Sequence, residues 1–173
     1  MRCWPMCPSG MPPDPSADGA SLHWRALERL YASAPINGTF RSVLTIEREG
    51  AATIRFDVDE SMFHAAGAAH GTIYFKMLDD AAFYAANTLI SDRFLLTTSF
   101  NMQFLRPIKG GPVRAEGHWI SGRRRVLVAE SRLLDEEGEE VGRATGTFMR
   151  SQIPLSGLPG YRAGGAGGGE SGK

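Results

Sequence analysis

Two rhythms alternate along the chain. In "SLHWRALERLYASA", Trp24, Leu27, Leu30, Tyr31 and Ala34 recur at helical spacing, while Arg25, Glu28 and Arg29 lie off that stripe. This is the pattern of an amphipathic helix. Ser21 stands where it can cap the start, and "APING" breaks the pattern. The period then changes to two. "TFRSVLTIE" places Phe40, Leu44 and Ile46 on one face, and "TIRFDV" sets Ile54, Phe56 and Val58 against Thr53, Arg55 and Asp57. Both read as strands, with "EREGAA" as the turn between them.

A helical stretch of different character follows, over about residues 70–88. It is apolar nearly all round: Ile73, Tyr74, Phe75, Met77, Leu78, Ala81, Ala82, Phe83, Ala85 and Ala86. A helix of that kind is buried on most sides. The rest of the body is strand after strand. "FLLTTSFNMQFL" puts Leu96, Phe100, Met102 and Phe104 on one face and Thr97, Ser99, Asn101 and Gln103 on the other. "PVRAEGHWIS" and "VLVAESRLLD" flank "GRRR", a hairpin signal, and "VGRATGTFMR" comes last. Helix, two strands, long helix and four strands predict an α+β domain in which about six antiparallel strands wrap one central helix.

Composition narrows the picture. Nineteen basic and nineteen acidic side chains cancel over 173 residues, so no net field favours nucleic acid or an anionic membrane. No long uncharged apolar run predicts a transmembrane helix. Residues 1–20, rich in Pro, Gly, Ser and Asp, read as a disordered leader. The Gly-rich residues 154–173 read as a flexible tail, which leaves 21–153 as the folded unit. The two cysteines, Cys3 and Cys7, lie in the leader and read as free thiols, not as a metal pair. A reducing cytoplasm is the expected compartment.

The central helix carries charges that its character does not explain. Lys76, Asp79 and Asp80 interrupt an apolar run, and an unpartnered buried carboxylate is costly. Lys76 precedes Asp80 by four residues, one helical turn. Pairing those two leaves Asp79 for chemistry. "HG" at the start of the helix adds a second element. The first N–H groups of a helix have no intrahelical partner and carry the positive end of its dipole, and Gly71 lets a ligand approach them closely. No third ligand stands near His64 and His70, so no metal site is expected.

The stretch "HAAGAAHGTIYFKMLDD" and the element order resemble the hotdog fold and its acyl-CoA thioesterase branch, nearest the PaaI-like, phenylacetate-degradation type. That signature has an Asn, a Gly three residues on, a His-Gly-Gly, and an Asp nine residues after the His. Here Gly67, His70-Gly71 and Asp79 match, and "FLRP" at 104–107 also looks like this family; His64 replaces the Asn and Thr72 the second Gly. The likeness covers roughly residues 35–150.

The resemblance implies a homodimer with sites shared between subunits, and it allows dimers of dimers. It makes Asp79 a general base or nucleophile, the Gly71 N–H an oxyanion donor, and Thr97 an orienter of water. His64 would do the amide's work, and His70 would anchor the loop. No cofactor is implied; coenzyme A enters as part of the substrate. Arg123, Arg124 and Arg125 at the hairpin tip, with Arg106 and Lys109, are candidates for its phosphates. Tyr74, Met77, Phe83 and Tyr84 are candidate walls for the acyl group. A hotdog hydratase or dehydratase pairing His64 with Asp79 is a second reading, although "HAAGAAHG" lacks the Pro usual in its loop. A non-catalytic acyl-CoA-binding module is a third.

Overall fold

The computed structural model describes residues 15–162, with side chains from Gly19 onward. Helices α1 (Pro15–Ser33) and α2 (Pro35–Phe40) come first, then strands β1 (Val43–Arg48) and β2 (Ala51–Val58). A 3-10 turn (Glu60–Met62) leads to the two-residue strands β3 (Phe63–His64) and β4 (Ala68–Ala69) and then to the long helix α3 (Gly71–Asn87). Strands β5 (Arg93–Phe104), β6 (Gly111–Ser121), β7 (Val126–Leu134) and β8 (Glu140–Pro154) follow, with α4 (Pro159–Arg162) after a second 3-10 turn.

All the long strands join one antiparallel sheet in the order β1-β2-β6-β7-β8-β5. The sheet curls around α3, the hotdog arrangement that the element order predicts. Its inner face is apolar and supplies Leu44, Ile46, Ile54, Phe56, Val113, Leu127, Leu133 and Phe148, all buried. The helix answers with Met77, Leu78, Ala81, Ala82 and Ala85, each fully buried. Contact is close because β6 has no side chain at Gly117: a Cβ there would lie 2.0 Å from the Ala81 carbonyl oxygen.

Several elements depart from the sequence-based expectation. Helix α1 begins before Ser21, which therefore lies inside the helix and does not cap it. "APING" forms α2, with Pro35 in its first turn, where a missing N–H costs nothing. Phe40 belongs to α2, so β1 starts only at Val43. In β5 the pairing slips between Thr97 and Ser99, so that Thr98 is an extra, bulged residue. Leu95 and Thr97 therefore share the inner face with Phe100, Met102 and Phe104, and Leu96 turns outward with Ser99, Asn101 and Gln103.

Order also extends past residue 153. Leu155 is fully buried, and Tyr161 and Leu158 pack on the core. His23 joins three elements there: Nε2–H donates to the Asn87 carbonyl at 3.0 Å, and Nδ1 accepts from the Tyr161 hydroxyl at 2.8 Å. Apolar residues at positions 155, 158 and 161 supply the burial that the surrounding Gly and Pro conceal. Cys3 and Cys7, the first fourteen residues of the leader and the tail beyond Arg162 lie outside the described residues.

Candidate active site

Helix α3 begins at a built N-terminus. His70 is its cap: Nδ1 accepts from the Thr72 N–H at 3.2 Å and bonds the Thr72 hydroxyl at 3.0 Å. The His70 carbonyl takes the Ile73 N–H at 2.9 Å. Thr72, in place of a second Gly, is thus held by the preceding His. Among the described residues no such bond uses the Gly71 N–H, which leaves it as the open donor of the first turn. The Phe104 ring covers the Cα of Gly71: a Cβ there would meet Cζ at 3.1 Å. Phe104 leans edge-on against Tyr74 at 5.1 Å.

Tyr74 has a function that sequence reasoning missed. Its buried hydroxyl donates to the Arg106 carbonyl at 2.7 Å and accepts from the Ile108 N–H at 2.8 Å. It therefore pins the "FLRP" segment beside Gly71 and is more than a pocket wall. His64, Gly71, Tyr74, Phe104, Arg106 and Pro107 line one depression of about 440 Å³. His64 is exposed, and its Nδ1 accepts from the Ala66 N–H at 3.1 Å, closing the turn that Gly67 completes with φ at 78°. His70 instead faces a larger cavity of about 590 Å³ on the other flank of the helix start, with Arg41, Asp59 and Met62.

Asp79 lies two turns along α3, half-buried against β5. Its carboxylate accepts from the Thr97 hydroxyl at 2.9 Å, a contact that exists because the bulge at Thr98 turns Thr97 inward. Aromatic pairs flank this polar rung: Phe75 with Phe100 at 5.3 Å and Phe83 with Phe94 at 5.0 Å. Burial pushes the Asp79 carboxyl up to about 6; the Thr97 hydrogen bond opposes that rise without cancelling it. Lys76 takes Asp80, not Asp79, as its partner. Burial raises the Asp80 carboxyl as well, against the pull of Lys76.

A single chain does not bring these parts together. Gly71 and Asp79 are eight residue steps apart along α3, about 12 Å of rise, so the donor and the carboxylate cannot grip one carbonyl within a single chain. The basic candidates are divided too. Arg123 pairs with Glu49 at 2.8 Å and stacks on Trp119 at 4.8 Å, next to the β1–β2 turn, where the Gly50 N–H bonds Thr88 near the C-terminal end of α3. Arg106, engaged by Glu139, lies near the helix start, as does Lys109 in the following turn. Arg124 and Arg125 make no ion pair among the described residues. Among those residues, no group of three His, Cys, Asp or Glu side chains could hold a metal ion, and no helix is long and apolar enough to cross a membrane.

Comparison with known proteins gives a consistent picture. The family model described as Thioesterase superfamily matches residues 66–142, which include Gly71, Asp79 and Thr97. A protein of Saccharolobus solfataricus named as an inferred esterase is 29% identical over 101 residues, 58% of this chain and 67% of that one. The fold is shared with the PaaI protein of the Escherichia coli phenylacetic acid degradation operon, with a TM-score of 0.72 at 18% identity over 78% of this chain and 97% of that one. It is also shared with a thioesterase family protein of Silicibacter pomeroyi, with a TM-score of 0.66 at 24% identity over 72% and 96%.

Proposed function

We propose that this chain, whose fold is that of the hotdog proteins and whose residues 66–142 match the thioesterase superfamily, cleaves acyl-CoA thioesters to a carboxylic acid and free coenzyme A. The observation that carries the reading is Asp79. It is a half-buried carboxylate that makes no ion pair among the described residues, is bonded to a hydroxyl and is raised to about 6. Such a group can take a proton from water near neutral pH.

In this reading the catalytic centre is composite. Asp79 of one subunit faces the Gly71 loop of its partner, which supplies what the spacing within one chain denies. The exposed Phe75, Phe104 and Leu105, together with the open edge of β5, support a homodimer on this side. Asp79 deprotonates water, held by the Thr97 hydroxyl, as its oxygen bonds to the thioester carbon. The carbonyl oxygen becomes an oxyanion and is stabilised by the Gly71 N–H at the positive end of α3. His64, lining the same depression, is a second donor. The C–S bond then breaks, and the thiolate of coenzyme A takes up the proton. Direct attack by the Asp79 carboxylate, with hydrolysis of the anhydride, is the same site's other route.

Arg124 and Arg125 are the strongest candidates for coenzyme A phosphates, because Arg123 and Arg106 already hold carboxylates. The compartment that fits is a reducing cytoplasm, since Cys3 and Cys7 are the chain's only cysteines.

The test is thiol release from a panel of acyl-CoAs, with enoyl-CoA hydration followed in parallel. Asp79-dependent release supports the reading. Hydration without release would move the assignment to a hydratase, and tight binding without turnover to a binding module.

A further inference from the structure

Asp79 has an acidic neighbour whose surroundings are unlike its own. About 100° separates the two side chains around α3. Asp80 faces α1 and α2, where Lys76 donates to it. The same ammonium donates to Asn37 Oδ1 of α2 at 2.7 Å and lies 5.2 Å and 5.5 Å from the ring centroids of Tyr31 and Phe40. Asn37 is buried and fixed in turn, its Nδ2 donating to the Tyr31 carbonyl at 2.7 Å. The Lys76 and Asp80 side chains are 15% and 20% exposed. An ion pair so far removed from water is a weak source of stability, because apolar residues of similar volume commonly serve as well.

Its position suggests another use. The charged groups that bear on Asp79 are Lys76 and Asp80, and β5 adds only the Thr97 hydroxyl. Asp80 alone would place a second negative charge beside the first. Lys76 cancels that charge, and Asn37 holds Lys76 in place to do so. We propose that the Lys76–Asp80 pair, clamped by Asn37, is an electrostatic regulator of Asp79, and that through it the N-terminal helices α1 and α2 are coupled to the base. Lys76 and Asp80 are then positioning residues, which touch no reacting atom. This inference rests on the reading of Asp79 as the base.

The test is the pH profile of kcat/KM for wild type, Lys76→Gln, Asp80→Asn and the double variant, together with carboxyl ¹³C titration of Asp79. Loss of the ammonium favours the protonated Asp79, so Lys76→Gln should move the acid limb up by about one pH unit. Loss of the Asp80 charge leaves an uncancelled ammonium, so Asp80→Asn should move it down by about the same amount. The double variant should return to the wild-type position. The single variants err in opposite electrostatic senses, so either alone decides if the other fails to fold. Coincident profiles in folded variants, with Asp79→Asn inactive, would overturn the coupling alone. Persistent turnover in Asp79→Asn would overturn the base, and the coupling with it.

Discussion

Replacing Asp79 by Asn removes a proton-binding site and keeps the side chain's shape. Thr97 can still donate to the amide oxygen, so packing and the hydrogen bond survive. Two consequences follow from the carboxyl's position near 6 in the fold, against an ordinary value of 3.8. The first is kinetic. A positioned base is worth roughly 10²- to 10⁴-fold, so kcat should fall by that factor with KM little changed. In the wild type, kcat/KM should decline about tenfold per pH unit below 6, as the base takes up its proton.

The second consequence is thermodynamic, and its sign is opposite to that of a salt-bridged acid. Between pH 3.8 and about 6, the folded carboxyl still holds a proton that the unfolded chain has released. The wild type therefore loses stability as pH rises through that window and is level above it. The full loss is about 3 kcal/mol, and the partial access of water to Asp79 reduces it to about 2 kcal/mol. Asn does not titrate. Asp79→Asn should match the wild type near pH 4 and exceed it near pH 7.5 by about 4–8 °C in Tm. Melts at fixed protein concentration across that range, with thiol-release kinetics on the same samples, check both halves. A variant that retains turnover, or whose Tm advantage does not grow between pH 4 and 7.5, would refute the argument.

Four further variants probe other parts of the molecule. Tyr74→Phe strands the Ile108 N–H and the Arg106 carbonyl; denaturant titration should show a loss of about 2 kcal/mol, with KM rising as the segment beside Gly71 loosens. Gly117→Ala drives a Cβ into the Ala81 carbonyl and should cost at least about 3 kcal/mol, read as a steep fall in Tm or loss of soluble protein. His64→Asn should lower kcat by less than about tenfold, the worth of one hydrogen bond, and flatten any pH dependence near neutrality; total loss would mark His64 as a proton-transfer residue. Replacing Arg124 and Arg125 with Gln should raise KM for acyl-CoA roughly tenfold and leave short thioesters without the nucleotide unchanged.

Much of the fold was legible because one periodicity dominated each segment. The alternation in β2 and the all-round apolar character of α3 each admit one solution. What escaped depended on distant partners. "SFNMQF" reads the same with or without a bulge before it, and only the fit of β5 to β8 and α3 selects Thr98 as the extra residue. Helix α2 was hidden by Pro and Gly, since its stability comes from Asn37 reaching Tyr31 and Lys76. The segment after Ile153 was hidden by composition, though its apolar residues at every third position were a usable signal. In the candidate site, Gly71, Asp79 and His70 stood out by their position on one helix. The two hydrogen bonds of the Tyr74 hydroxyl did not, because their partners are backbone groups more than thirty residues away.

The extra residue in β5 also bears on how this chain should be aligned with its relatives. Removing Thr98 would restore a regular ladder from Leu95 to Phe104, Thr97 opposite Phe148 and Ser99 opposite Thr147, with the other side chains of that stretch keeping their faces. Removing a residue between Phe94 and Thr97 would instead carry Leu95 out of its buried slot and turn Thr97 away from Asp79. Between Leu95 and Phe104, position 98 is therefore where length can change by one residue without moving Thr97 from Asp79. A relative with an unbulged strand belongs against this sequence with its gap at 98. Placed elsewhere, the gap would set the hydroxyl that meets Asp79 against a residue on the opposite face of the sheet.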